Sequence, residues 1–305
     1  MNGPVTTRFR SLGGKVFIQA EGEGSEVAVA EAEHLVRDLH ARLTRFEPES
    51  ELCRLNDDPG EAVPAGSLML RFVEAARMAG QASRGLVDST LLGEVERAGY
   101  TDSIDPDTEI PGLPDRPDRL DTPPRVGDWS DLRVDRELNL VIRPPGLRLD
   151  SGGLGKGLAA DLVAERLSGF ASWVVECSGD LRFGGQRKAE RRIDVSSPEA
   201  GGGTIAHCFA SSNAVATSGV TRRTWSTGSG RSHHLIDPRT GCPSDTGLIQ
   251  STAIAPTAVE AEYRAKAALL SGLDGALEWL VHGGVVVTDE LEVRAWGFRR
   301  GPAGE

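Results

Sequence analysis

The chain has little with which to build several common kinds of site. Its 305 residues hold four cysteines, Cys53, Cys177, Cys208 and Cys242, and no CxxC pair. That spacing gives no zinc knuckle and no thioredoxin-type redox site, and leaves reduced, mostly buried thiols. Positive charge is in deficit, with 34 Lys+Arg against 45 Asp+Glu and a net charge of −11. Broad binding to nucleic acid or to an anionic membrane rewards clustered Lys and Arg, so neither is expected. No run approaches the ~20 apolar residues that a membrane span needs. The first ten residues show no apolar h-region and no lipidation cysteine, and the expectation is a cytoplasmic protein. Internal repeats and low-complexity tracts are also missing. What remains is ordinary globular composition, 39% hydrophobic and 26% charged, at a length that suits one large domain or two intimately joined lobes.

Glycine is the residue in excess: 37 of 305, against a globular average of about 7%. Such an excess means either loose linkers or backbone that approaches a ligand closely, and its distribution decides. Apolar alternation predicts a first strand over residues 9–20. Leu35, Leu39, Leu43 and Phe46 recur at helical spacing and predict a helix over 27–46. The chain breaks at Pro48, and 50–56 reads as a short ordered loop. A second helix is predicted over 68–82. Residues 101–146 are rich in Pro and Asp and read as a long surface excursion, with a strand at 138–142. Helices are then expected at 158–167, 257–270 and 274–282. Strands are expected at 173–177, 193–196, 214–217, 251–255 and 285–288. Strands and helices without a regular βαβ rhythm point to the α+β class.

Several glycines cluster where chemistry is plausible. Asp150-Ser151-Gly152-Gly153-Leu154-Gly155-Lys156-Gly157 runs into a helix. Glycines before a helix N-terminus let backbone N–H groups and the positive dipole end face an anion, and Lys156 adds a point charge. The string is neither a Walker A loop nor G-x-G-x-x-G, so on spacing alone a phosphate loop and a tight structural turn both remain open. Ser178-Gly179-Asp180 and Ala216-Thr217-Ser218-Gly219 each follow a strand and read equally as turns or ligand loops. His234 beside Asp237-Pro238 is either an acid/base pair or a polar cap on a loop. The runs 201–203 and 228–230 look like loop tips.

In order along the chain, Asp88-Ser89-Thr90, the 150–157 string, Ser178-Gly179-Asp180, Ala216-Thr217-Ser218-Gly219 and His234-Leu235-Ile236-Asp237-Pro238-Arg239-Thr240-Gly241 resemble the motifs of the ApbE family, FAD:protein FMN transferases. The likeness covers about residues 9–287. It implies an ApbE-like α+β fold, two closely joined lobes of mixed sheet with flanking helices and a dinucleotide cleft between them. It also implies cleavage of FAD at its pyrophosphate, with Mg²⁺, and attachment of FMN to a Ser or Thr of an acceptor protein. By the same resemblance Asp150 and Lys156 contact FAD, the Gly153 carbonyl faces the metal, and Val87 and Asp88 fall on a flavin-contacting segment. Asn56 lies near the pyrophosphate, Phe46 is the nucleotide-facing aromatic, and Thr217 and Ile236 belong to the dinucleotide site. His234 and Asp237 are the candidate catalytic pair.

Two departures stand out. The family's early Met-Gly-Thr is Leu12-Gly13-Gly14 here, and leucine still supplies an apolar cover for the flavin. Where the family carries Ala-Asp-x-x-x-Thr, whose Asp and Thr bind Mg²⁺, this chain reads Ala261-Glu262-Tyr263-Arg264-Ala265-Lys266. Glu262 keeps a carboxylate as a candidate metal ligand. Lys266 replaces a hydroxyl with an ammonium, which has no lone pair when charged. The i,i+4 spacing with Glu first favours a Glu262–Lys266 pair in which lysine takes the metal's electrostatic place. Three functions stay open: an FMN transferase, a non-catalytic FAD binder, and a pyrophosphatase that releases FMN and AMP.

Overall fold

The computed structural model describes residues 3–104, 128–199, 201–227 and 230–300. The alternating start of the chain forms two strands where one was expected, β1 (Val5–Ser11) and β2 (Gly14–Glu21), paired as a hairpin. Leu12 and Gly13 make the turn at φ 53° and 71°, the positive values that a two-residue primed turn requires. The alternation conceals the break because leucine stands where Gly or Asn would mark it.

Six further strands extend this hairpin: β3 (Ser172–Cys177), β4 (Asp180–Gly184), β5 (Asn213–Gly219), β6 (Leu248–Ala255), β7 (Gly284–Thr288) and β8 (Val293–Trp296). They lie in chain order in one eight-stranded sheet. Each junction is antiparallel, where a mixed sheet was expected. Alternate residues of a strand face opposite sides, and both sides are covered. Val174, Phe183, Val215 and Ile254 pack against Ile193 and Cys208 of a hairpin formed by Arg191–Ser196 and Thr204–Ala210. Val175, Ala214, Ala216, Ala253 and Ala255 join the main core with the helices. β6 is therefore buried along its whole length.

Seven α-helices occur among the described residues: α1 (Ser25–Leu43), α2 (Glu51–Asp57), α3 (Ser67–Ala82), α4 (Leu92–Arg97), α5 (Gly155–Leu167), α6 (Ala258–Leu270) and α7 (Gly272–Trp279). α1 buries Val29, Ala32, Val36, Leu39 and Leu43 on one stripe, each large side chain contributing about 1.5–3 kcal/mol of burial. The segment 50–56, expected as a loop, is mostly α2. Ser50 caps it by accepting the Cys53 N–H at 3.0 Å, a start signal that Pro48 masks in the sequence. α6 packs on β5, β6 and α5.

Of the 101–146 excursion, 105–127 lie outside the described residues. Its remainder carries a short turn at Trp129–Asp131 and the strands Arg133–Asp135 and Leu140–Ile142, the second of which pairs with both the first and Ala62–Pro64. The loop tip expected at 228–230 also falls mostly outside the described residues. No described helix is long and apolar enough to cross a membrane. Cys177, Cys208 and Cys242 are buried, and Cys53 is partly exposed.

Candidate functional site

The segment leading into α5 is pinned from three distant parts of the chain. Asn56 on α2 clamps Leu149 from both sides: its Nδ2 donates to the Leu149 carbonyl at 2.9 Å, and its Oδ1 accepts the Leu149 N–H at 2.7 Å. The Asp150 N–H donates to the Ser89 carbonyl at 2.8 Å, and Ser151 Oγ donates to the Leu43 carbonyl at 2.6 Å. Asn56 thus fixes backbone, and the Asp88-Ser89-Thr90 segment is physically joined to the glycine loop. Asp88 Oδ1 accepts the Thr90 N–H and hydroxyl at 2.8 and 2.7 Å, while its buried Oδ2 has no partner among the described residues. Burial raises the Asp88 pKa. Val87 is a core residue. Asp150 faces the Arg45 guanidinium at 3.4 Å; burial raises its pKa, and Arg45 and Arg223 oppose that rise.

At the first turn of α5 two lysines and two carboxylates interlock. The Lys156 ammonium donates to Asp180 Oδ2 and stands 3.8 Å from Glu262 Oε1. Asp180 is held in turn by the Thr217 N–H at 3.0 Å, and Thr217 Oγ1 bonds Thr252 Oγ1 at 2.9 Å. Glu262 is 1% exposed; its Oε2 accepts the Gly157 N–H at 2.8 Å, and its Oε1 accepts Lys266 Nζ at 3.1 Å. Leu154, the residue before α5, offers no side-chain cap, and Glu262 reaches across from α6 to supply one. Gly157 makes that reach sterically feasible. A Cβ there would lie 2.8 Å from both the Ala258 carbonyl oxygen and Glu262 Oε2. Burial opposes the charge of both lysines. Asp180 and Glu262 outweigh it at Lys156, whose pKa is raised, whereas the Lys266 pKa is lowered despite Glu262.

His234 lies within electrostatic range of both lysines. Its buried Nδ1 has no partner among the described residues. Burial, then Arg223, His233, Lys266 and Lys156, push its pKa well below the ordinary histidine value. It is neutral near pH 7, with one ring nitrogen ready to accept a proton. Its neighbour His233 is fully engaged: Nε2 donates to the Ser244 carbonyl at 3.0 Å, and Nδ1 accepts the Leu235 N–H at 3.3 Å. An aromatic wall stands beside His234. Tyr100 stacks on Trp225 at 5.3 Å and 15°, lies 5.7 Å from Phe46, and meets the His234 ring edge at 6.5 Å. The Arg45 guanidinium sits over both Phe46 and Tyr100, at 4.3 and 4.5 Å. Ile236 is buried in the small cluster that supports this wall.

The fold gathers Asp150, Lys156, Thr217, His234, Glu262 and Lys266, with Phe46 joined through Tyr100. Leu12 comes in through the hairpin turn, where Arg223 Nη2 lies 3.0 Å from the Cβ position of Gly13. Asp237 is engaged elsewhere. Its carboxylate accepts Arg239 Nη2 at 2.7 Å and Nε at 2.9 Å, and its carbonyl accepts the Gly241 N–H at 2.8 Å. Four site residues were absent from the sequence reading: Arg45, Tyr100, Arg223 and Trp225. None sits at a motif spacing. Two of them are among the chain's few aromatics, two Tyr and five Trp, and Arg223 betrays itself only in the structure, by a positive φ of 54°.

The residues at the expected metal position do not suit magnesium, which needs near-octahedral oxygen ligation. Both Glu262 oxygens are in use, one of them by an ammonium. An ion at Glu262 Oε1 would adjoin Lys266, and like unit charges at ~4 Å repel by about 4 kcal/mol at an effective dielectric near 20. Among the described residues no three His, Cys, Asp or Glu side chains are grouped to hold a metal.

The ApbE family profile matches residues 10–288. An FAD:protein FMN transferase of Haemophilus influenzae is 25% identical over 300 residues, covering 89% of this chain and 83% of the relative. One of Salmonella typhimurium is 27% identical over 254 residues, covering 80% and 71%. The crystal structure of the ApbE protein of Thermotoga maritima superposes with a TM-score of 0.79 at 21% identity, covering 96% of this chain and 97% of that one. Flavin transferase ApbE of Vibrio cholerae gives 0.73 at 18% identity, covering 96% of each. The α+β fold is therefore that of these structures, the family profile spans almost the whole chain, and the chain belongs to the ApbE family.

Proposed function

We propose that the chain transfers FMN from FAD to a Ser or Thr hydroxyl of an acceptor protein. The observation that carries this reading is the cluster of Lys156 and Lys266 with Asp180 and Glu262 at the glycine loop, where the Lys266 stem lies 3.7 Å from the Cβ position of Gly153; both lysines and Arg223 also help to keep the His234 imidazole neutral. A pyrophosphate needs fixed positive charge, and a hydroxyl nucleophile needs a base. The acceptor oxygen bonds to the FMN phosphorus, the P–O–P bridge breaks, and AMP leaves with the bridging oxygen. His234 takes the hydroxyl proton. The two lysines and Arg223 stabilise charge on the phosphates. Phe46, Tyr100, Trp225 and Leu12 offer apolar surface for the rings, and Asp150 orients Arg45. Asp237 acts by shaping the turn that carries His234. Four widely spaced cysteines without a CxxC pair favour a reducing, cytoplasmic setting.

The test is incubation with FAD and an acceptor protein, reading covalent flavin fluorescence on the acceptor and AMP release. Labelled acceptor with equimolar AMP is the expected result. FMN and AMP without labelling would make the chain a pyrophosphatase, and unchanged FAD a binder only. Lys156→Ala and Asp150→Ala should each weaken FAD binding by about tenfold or more, about 1.4 kcal/mol; unchanged affinity in both would sink the flavin assignment.

A further inference from the structure

Lys266 is an expensive residue to place where it is. It is 9% exposed and lies on a helix packed against the sheet, and a buried ammonium is retained only with a partner and a purpose. Its partner is Glu262, at 3.1 Å. An ammonium has three N–H donors, and among the described residues Lys266 uses one on this bond. Its stem passes Gly153: the Lys266 Cε is 3.7 Å from the Cβ position of that glycine, in the loop that faces the site.

The four charges are ordered in a layer. Both carboxylates are anchored by backbone, Asp180 by the Thr217 N–H and Glu262 by the Gly157 N–H. Both ammoniums bear on the same imidazole, His234, and lower its pKa. The carboxylates are thus tied back into the sheet and α5, and the Lys266 stem runs past the glycine loop at Gly153. A pure structural ion pair would have no need of this order.

We propose that the Lys266 ammonium does in this chain the work of a divalent cation: together with Lys156 it faces the pyrophosphate of the bound dinucleotide, and both binding and transfer proceed without a divalent metal. The site's phosphate-facing charge is then built into the polypeptide. This rests on the flavin reading above, and the experiment separates the two.

The wild-type protein is titrated with Mn²⁺ and followed by electron paramagnetic resonance, first without FAD and then with it. FAD affinity is measured by flavin fluorescence in EDTA and in MgCl₂. The expected results are no stoichiometric Mn²⁺ site in the wild-type protein and an FAD affinity the same in both buffers within about twofold. The Glu262→Asp/Lys266→Thr variant should take up one Mn²⁺ and lose about tenfold in FAD affinity in EDTA, regained with MgCl₂. One tightly held Mn²⁺ per wild-type chain, or wild-type FAD binding abolished by EDTA, overturns the proposal. If the double variant does not fold by circular dichroism, Lys266→Thr alone replaces it, and the wild-type titrations still decide. A wild-type protein that binds no FAD in either buffer overturns the flavin reading, and its Mn²⁺ titration still reports on Lys266.

Discussion

Two helix N-termini meet behind the site, and they are closed differently. α6 is sealed from within the protein: Thr257 Oγ1 accepts the Glu260 N–H at 3.2 Å, and the Asp161 carboxylate accepts the Ala258 and Val259 N–H groups at 2.8 and 2.9 Å. α5 returns the favour only in part, through Glu262 and the single N–H of Gly157. Asp161 lies on α5 and Glu262 on α6, so each helix caps the other. The α6 end is a joint, its first three N–H groups all taken by side chains of the protein. The α5 end opens on a glycine loop, and its one capping carboxylate also holds a lysine within electrostatic range of His234. Adjacent histidines repeat the contrast, His233 bonded at both nitrogens and His234 with a buried nitrogen that has no partner among the described residues. The difference teaches where to look for ligand contacts: a polar group satisfied by its own chain supports the frame, and one left unsatisfied in a buried setting awaits a partner.

The comparison breaks most severely at Gly157. A methyl group there meets the Ala258 carbonyl and Glu262 together, so Gly157→Ala should push α5 from α6 and cost about 3 kcal/mol in urea melts, with FAD affinity falling as well. An unchanged melting curve would mean that the helices do not pack this closely.

Acid should strike at the engaged histidine next. His233 is held at a pKa of about 4, chiefly by burial, against an ordinary histidine value of 6.5. The unfolded chain binds the proton first, so this contribution is intact at neutral pH and is lost as pH falls from about 6.5 toward 4. The loss is at most about 3 kcal/mol. Comparing urea melts of wild type and His233→Gln at neutral pH and near pH 4 isolates it; an equally steep acid loss in the variant would assign the effect elsewhere.

Asp161→Ala should cost about 2 kcal/mol by leaving two N–H groups of α6 uncapped, and Thr257→Ala about 1 kcal/mol. If the α6 end is only a joint, the folded fraction of both variants binds FAD as tightly as wild type. A selective loss of affinity in a well-folded Asp161→Ala protein would dissolve the distinction between the two helix ends.

Much of this was legible beforehand for a physical reason. Residues that share a helix stripe, such as Leu35, Leu39 and Leu43, announce themselves by spacing, and so did the glycine loop by its position before a helix. The α+β class followed from the irregular alternation of elements. What escaped was either concealed by an unusual residue or assembled at long range. Leu12 takes a positive φ that leucine seldom adopts, so the hairpin turn was hidden inside an alternating run. Arg45, Tyr100 and Trp225 meet across 180 positions of chain, and no local pattern marks such a meeting. Asn56, expected near the pyrophosphate, holds the Leu149 backbone at both its N–H and its carbonyl. Asp237, read as a catalytic partner, has its carboxylate on Arg239.

The clamp between Asn56 and Leu149 joins residues 93 positions apart, and the bond from Ser151 to Leu43 spans 108. Gly157 and Glu262 are 105 apart. A ligand platform tied by such distant strings exists only once the ribosome has delivered nearly the entire polypeptide. A growing chain that has not yet reached α6 lacks both the Glu262 cap on α5 and Lys266, so the loop takes its final form only late in synthesis.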